Sequence, residues 1–259
     1  MSTSSAPPRI LTATATRQGT SSDNADGVAV HATSRGTVAA AIVDMIGHGD
    51  GIDHLADLLA AVIARTAARH HYGLPALLAA RELVADKPAE GPVHDGVTIT
   101  AVANPNPDGL YSRLIEDGVP VYLIAWTGDA EARTWDGSKL ERVSTPETVG
   151  EQLRANGVPL DLAAHHDNWI RTSLRTAHPA SVSTVEADAR KLLVLSSDGV
   201  ADQLPEGRFA ELLACHLPDL ATAAPGDLES AARALVDAVQ ADAGGYRDDA
   251  TACLLLLAS

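Results

Sequence analysis

Five apolar residues in succession, 38–42, read as a β-strand covered on both faces. Directly after Val43 the run gives way to Asp44-Met45-Ile46-Gly47-His48-Gly49 and then Asp50-Gly51. Beyond these turn residues, apolar positions recur at Ile52, Leu55, Leu58, Leu59, Val62 and Ile63, which is helical spacing. The same alternation of strand runs and turn clusters continues along the chain. Residues 28–32 and 37–43 are joined by Thr33-Ser34-Arg35-Gly36 and predict a hairpin. Further strands are predicted at 97–103, 119–126, 131–135, 139–143, 191–197 and 251–258, and helices at 76–85, 149–155, 207–216 and from Asp227, a candidate N-cap, to about 241. Mostly local antiparallel connections, with helices between them, predict two antiparallel sheets with helices outside.

Four aspartates recur in one context. Asp26, Asp44, Asp198 and Asp248 each stand beside a strand-like run, next to turn residues. Taken alone, each also reads as a turn or capping residue. The hairpin, however, places Asp26 at the start of one strand and Asp44 at the end of its neighbour, so both fall at the same end. Four carboxylates without matching His or Cys suit a hard divalent cation such as Mg²⁺ or Mn²⁺ and not zinc. Converging carboxylates repel one another and hold protons unless cations neutralise them. His70 and His71, at the predicted end of the first long helix, read as a solvated end, because adjacent residues do not share a helix face.

Composition narrows the partners. The 259 residues carry Lys+Arg 19 against Asp+Glu 34, a net charge of −15, which disfavours nucleic acid and anionic membrane. Hydrophobic content of 46% supports a sizeable core, while aromatics at 3% leave that core to Ala, Val, Leu and Ile. Cys215 and Cys253 form no CxxC pair, sit in apolar surroundings as core residues would, and fit a reducing cytoplasm. Residues 1–12 read as a disordered tail without the pattern of a signal peptide, and no apolar run approaches the ~20 residues of a membrane span.

Several short motifs, in order, resemble those of the metal-dependent serine/threonine protein phosphatases, the PPM family. Asn24-Ala25-Asp26 is similar to the family's Asn-Glu-Asp. Asp44-Met45-Ile46-Gly47-His48-Gly49 is similar to its Asp-Gly-x-Gly-Gly, and closer to the Asp-x-x-Gly-His-Gly form of its bacterial stress- and sporulation-regulator branch. Thr127-Gly128-Asp129-Ala130-Glu131-Ala132 resembles Val-Gly-Asp-Ser-Arg-Ala, Ser197-Asp198-Gly199-Val200-Ala201-Asp202 resembles Ser-Asp-Gly-Leu-Thr-Asp, and Arg247-Asp248-Asp249-Ala250-Thr251 resembles Arg-Asp-Asn-Ile-Thr. Residues 168–174 resemble the segment after the family's flap. The resemblance implies an α+β, four-layer α-β-β-α sandwich in a single phosphatase domain over residues 13–259, with a flap at about 145–177. It implies two Mn²⁺ or Mg²⁺ ions, one held by Asp44, Asp198 and Asp248 and the other by Asp44, Asp26 and the carbonyl of Met45. Asp129 with Asp198 matches a weaker third position. The activity implied is hydrolysis of phosphoserine and phosphothreonine in phosphoproteins, opposing a serine/threonine kinase in the cytoplasm.

Three departures bear on that expectation. Met45 stands where the family has glycine, Ser21 where it has the arginine that grips phosphate, and Ala130-Glu131 where it has Ser-Arg. Arg17, four residues before Ser21, is the candidate replacement for the arginine or else a solvated surface charge. Arg35, at the far end of the hairpin, is out of reach. His48, four residues after Asp44, is a candidate general acid for the leaving oxygen, or a helix cap or carboxylate partner. The flap segment shapes substrate access or only bridges strands. A metal-binding pseudophosphatase acting as an interaction module is the alternative function, and a two-metal nuclease is disfavoured by the charge.

Overall fold

The computed structural model describes residues 9–47, 49, 51–85, 93–104, 115–116 and 119–258. In chain order the elements are β1 (Arg9–Arg17), β2 (Asp26–Ala32), β3 (Val38–Met45), α1 (Ile52–His70), α2 (Gly73–Val84), β4 (Gly96–Ala103), β5 (Ile115–Glu116), β6 (Val119–Thr127), β7 (Glu131–Trp135) and β8 (Leu140–Arg142). They continue with α3 (Val149–Ala155), α4 (Leu160–Ala164), β9 (Ser183–Asp188), β10 (Leu192–Ser196), α5 (Asp198–Gln203), α6 (Glu206–His216), α7 (Pro225–Ala238) and β11 (Ala250–Ala258).

Two antiparallel sheets form, as expected. One runs β1-β11-β10-β7-β8; the other runs β2-β3-β4-β6-β5, with β9 also pairing to β6. Helices α1 and α2 bury Ala56, Leu59, Ile63 and Leu77 against the outer face of the second sheet, on Ala39, Ala41 and Val43. Helices α6 and α7 cover the outer face of the first, with Phe209, Leu213, Leu228 and Leu235 against Leu11, Ala13, Leu192 and Leu254. Between the sheets lie Ala40, Ile42, Ile99, Ile124, Leu193, Leu195, Cys253 and Leu255. The order is therefore helix, sheet, sheet, helix. Because β3 is buried on both faces, its residues 38–43 are continuously apolar, with alanine at three central positions that lets a helix and a second sheet approach closely. A polar link crosses the interior: the hydroxyl of Tyr122 in β6 donates to the carbonyl of Leu255 in β11 at 3.0 Å.

Several expectations need correction. Residues 9–12 are not tail: β1 begins at Arg9 and pairs with β11 in unbroken register from Arg9↔Ala258 to Arg17↔Ala250. Residues 1–8 lie outside the described residues. Strand β9 and helix α5 are additional elements. Asp227 is not the N-cap of its helix; α7 starts at Pro225, and the Asp227 carboxylate accepts the N–H of Ala224 at 2.9 Å, satisfying the helix start from within the first turn. Helix α2 starts at Gly73, because Pro75 is tolerated in a first turn. His71 is no solvated end: it caps α1 in the left-handed region, φ 55°, with its Nδ1 3.0 Å from the buried hydroxyl of Thr37. Cys215 is exposed and only Cys253 is buried, where burial pushes its thiol up to about 12. Among the described residues no helix is long and apolar enough to cross a membrane.

Gly27 shows how tightly α1 is seated. A Cβ at this position would fall on the backbone carbonyl of Ala56 in α1. Gly27→Ala is expected to destabilise the protein by about 1–3 kcal/mol, because one backbone segment must move to make room. Urea unfolding measures this, and wild-type stability in the variant would show that α1 does not rest on β2.

Candidate metal centre

Strand periodicity puts the aspartates where they are. In β3, Ala40 and Ile42 point between the sheets, so two residues on, Asp44 does as well. In β2, Val28 packs on the same interior, and Asp26, two residues before it at the strand's start, lies on the same face. Register sets the two directly opposite each other, Asp26↔Asp44. From the other sheet, Leu193 and Leu195 are followed by Ser197, and Leu255 and Cys253 are preceded by Thr251. The apolar filling of the sandwich thus ends, at one edge, in a layer of polar side chains. Asp198 opens α5 directly after Ser197, Asp248 lies in the loop before β11, and Asp129 lies where the chain crosses from β6 to β7. Gly128 makes that crossing with φ 88°, and a Cβ there would strike the side chain of Val97.

Hydrogen bonds pin this layer. Ser197 donates its hydroxyl to Asp26 Oδ2 at 2.7 Å and accepts the N–H of Thr251 at 3.0 Å, which is why it offers no side-chain cap to α5. Asp249, which the motif reading passed over, holds the segment ahead of β2. Its Oδ1 accepts the N–H of Gly19 and its Oδ2 that of Ala25, each at 2.6 Å, while the N–H of Thr20 reaches the carbonyl of Arg247 at 2.8 Å. The pairing of Asp248 with Asp249 was the only trace of this in the sequence.

Electrostatics marks four of these carboxylates, together with Asp202 beside them, which burial raises to about 6. Burial pushes Asp44 well above the usual carboxylate range, and the charges of Asp198, Asp26 and Asp129 push it further. Asp198 is raised well above it too, by burial and then by Asp129, Asp248 and Asp26. Burial raises Asp26 to about 7, against the opposing hydrogen bonds of Ser197 and Thr251. Asp129 rises to about 6, again chiefly through burial. Among the described residues none of Asp26, Asp44, Asp129, Asp198 or Asp248 forms an ion pair with Lys, Arg or His.

The nearby cations are committed elsewhere. Arg17, expected as the phosphate ligand, points to the outer face of β1 along with Leu11, Ala13 and Ala15. Its Nη1 donates to the carbonyls of Val236, Asp237 and Val239 at the end of α7, at 3.2, 3.0 and 3.2 Å. Thr16, one residue earlier, lies on the opposite face of the strand, exposed at the sheet edge, with its hydroxyl 2.8 Å from that of Thr251. A strand alternates, so position 17 could not face both ways. Arg35 lies in the hairpin link, beyond Ala32↔Val38 and away from Asp26 and Asp44. Ser21 offers its carbonyl to the side chain of Gln18 at 2.8 Å. Met45 keeps strand geometry, since His71 is the only non-glycine with positive φ among the described residues. Glu131, a departure from the motif, is buried in β7 but is paired with Arg133 at 2.7 Å and Arg142 at 3.3 Å. His48 lies outside the described residues.

Beside Asp129 opens a cleft of about 330 Å³ lined by Glu131, Arg142, Glu151, Arg154, Asp167 and Asp202. Its far wall is the 145–177 segment, closed at its base by the Thr148↔Ile170 bridge and by the N–H of Leu174 on the carbonyl of Gly96 at 2.7 Å. Arg154 binds Asp167 with both terminal nitrogens, at 2.7 and 2.5 Å, and holds this wall together internally.

Solved structures share this architecture. The *S. agalactiae* serine/threonine phosphatase superposes with a TM-score of 0.71 over 95% of this chain and 99% of its own, at 14% identity. The PPM Ser-Thr phosphatase MsPP from Mycobacterium smegmatis, in complex with cacodylate, gives 0.64 over 95% and 97% at 22% identity. The catalytic domain of serine threonine protein phosphatase PstP, in complex with 2 manganese ions, gives 0.61 over 97% and 100% at 18% identity. No protein-family model and no curated protein matches the sequence. The chain has the fold of the PPM-type serine/threonine phosphatases.

On this PPM fold the donor set fits a hard divalent cation: carboxylate oxygens, buried, uncompensated and mutually repelling. As they stand, no three His, Cys, Asp or Glu side chains among the described residues are gathered closely enough to enclose an ion. Carboxylates gathered in this way hold protons unless a cation neutralises them, and Asp44 and Asp198 are both raised well above the usual range.

A pH dependence follows. An acid raised on folding keeps its proton longer in the folded state, so its contribution to stability is fully present below the unfolded value of 3.8 and is lost as pH rises through about 7 for Asp26. In EDTA, wild type is expected to lose up to about 4 kcal/mol relative to Asp26→Asn between those limits. Urea unfolding of both proteins at pH 4, 5.5 and 8 measures the difference. Parallel stability curves would contradict the burial of an uncompensated Asp26.

Proposed function

We propose that this chain is a metal-dependent phosphoprotein phosphatase acting on phosphoserine and phosphothreonine, opposing a serine/threonine kinase. One observation carries the reading: buried aspartates without counter-charges gather at one edge of a sandwich whose fold is that of serine/threonine phosphatases. By the motif resemblance, Asp44, Asp198 and Asp248 hold one ion, and Asp44, Asp26 and the carbonyl of Met45 a second. The PstP complex with 2 manganese ions supports two Mn²⁺ or Mg²⁺ here; the motif resemblance alone gives Asp129 with Asp198 as a third, weaker position. When bound, such ions supply a water acidic enough to attack phosphorus at neutral pH and positive charge for the phosphoryl oxygens.

The chain's own residues then have distinct tasks. Asp44 and Asp198, which burial makes hold their protons, would have to ionise to hold an ion, so loading would release protons. Ser197 keeps Asp26 in one rotamer, and Asp249 keeps the 19–25 segment against the loop that carries Asp248. His48, four residues after Asp44 in the sequence, is the proposed donor of a proton to the departing serine or threonine oxygen. Because Arg17 is committed to the end of α7 and Ser21 carries no charge, no arginine from the β1 side grips the phosphate. Affinity for the rest of the phosphoprotein falls to the cleft and to the flap, whose Leu160, Leu162 and Trp169 are exposed.

The test is hydrolysis of an aryl phosphate and of a phosphoserine peptide in Mn²⁺, with EDTA as control. Asp44→Asn is expected to lower turnover by about 100-fold or more without unfolding the protein. His48→Ala should slow the peptide more than the aryl phosphate, whose leaving group needs no proton. Full activity in EDTA or in Asp44→Asn would overturn the metal-dependent reading, and equal losses on both substrates would remove His48 as the acid. Mn²⁺ binding without turnover on either substrate would mark the chain as a binding module instead.

A further inference from the structure

One contact to the aspartate layer comes from outside it. Tyr246, whose residue surface is 44% exposed, donates its hydroxyl to Asp248 Oδ1 at 3.0 Å. The N–H of Asp249 donates to the same oxygen, also at 3.0 Å. No hydrogen bond engages Oδ2 among the described residues. Two donors on one carboxylate oxygen fix the rotation of the group and leave the other oxygen for a ligand.

Tyr246 is itself held in place. Asp242 Oδ1 accepts the N–H of Tyr246 at 3.0 Å and that of Gly244 at 2.7 Å, and the N–H of Asp242 donates to the carbonyl of Tyr246 at 2.7 Å. Gly245 closes this turn with φ 83°. From the other side, Gln203 Oε1 accepts the N–H of Asp248 at 3.1 Å. The 242–248 loop is therefore a small bracket whose exposed tyrosine touches one proposed metal ligand.

We propose that Tyr246 is a positioning residue for Asp248: its hydroxyl, with the N–H of Asp249, holds Oδ1 so that Oδ2 is presented to a divalent cation. This rests on the metal-dependent reading above. Partners that orient a ligand in this way typically change metal affinity by 10- to 100-fold when removed. Tyr246→Phe removes the hydroxyl alone and keeps the ring.

The experiment is calorimetric titration of metal-free protein with Mn²⁺, for wild type and Tyr246→Phe, alongside thermal unfolding of both in EDTA. Mn²⁺ affinity about tenfold weaker in the variant, with an unchanged midpoint in EDTA, is the expected result. Equal affinity in the two proteins would overturn the inference while leaving the metal site intact. A lowered midpoint in EDTA accompanying the weaker binding would also overturn it, because the tyrosine would then be structural. Wild type that binds no Mn²⁺ would overturn the metal-dependent reading itself, and the inference with it.

Discussion

The structure depends on keeping several aspartates inside, at the edge of a sandwich, with no cation of its own beside them. Taking a carboxylate out of water is costly, and bringing several together multiplies that cost. Strand alternation nevertheless delivers Asp26 and Asp44 to the interior as surely as it delivers Val28 and Ile42. What lowers the cost in the metal-free chain is a set of retained protons and hydroxyl donors, Ser197 and Thr251 above all. A divalent ion would do it far better.

The other buried or crowded charges show that this chain can compensate acids when it needs to. Glu131 is as buried as Asp26, yet it has Arg133 and Arg142 beside it, and Arg133 in turn stacks over Phe209 at 5.4 Å. Asp249 is buried as well, but its two oxygens each receive a short backbone N–H bond. Among the described residues, Asp44 and Asp198 receive neither kind of partner. The difference lies in the residues supplied at each point, and Asp44 and Asp198 also keep part of their surface exposed; both features separate a scaffold carboxylate from one kept for a ligand.

Much of this was legible in the sequence because it rests on period and register. A hairpin with a four-residue link made Asp26 and Asp44 neighbours before any coordinates, and the continuous apolar runs at 38–42 and 192–195 announced strands covered on both faces. Strand β1 was missed because its alternating Thr and Ala carry little hydrophobic signal, so that only its nine-residue pairing with β11 makes it a strand. Arg17 was assigned the wrong side of that strand for the same reason: without the strand there was no alternation to consult. The part played by Asp249 depends on contacts across more than two hundred residues of chain, and that of Tyr246 on how the 242–248 turn aims its hydroxyl back at Asp248; no sequence pattern encodes either.

The most direct measurement of the central claim is the anomalous scattering of manganese in crystals grown with Mn²⁺. The account predicts manganese density within coordination distance of the carboxylates of Asp44 and Asp198. Crystals that diffract well and show these aspartates side by side, with no manganese near them, would contradict it.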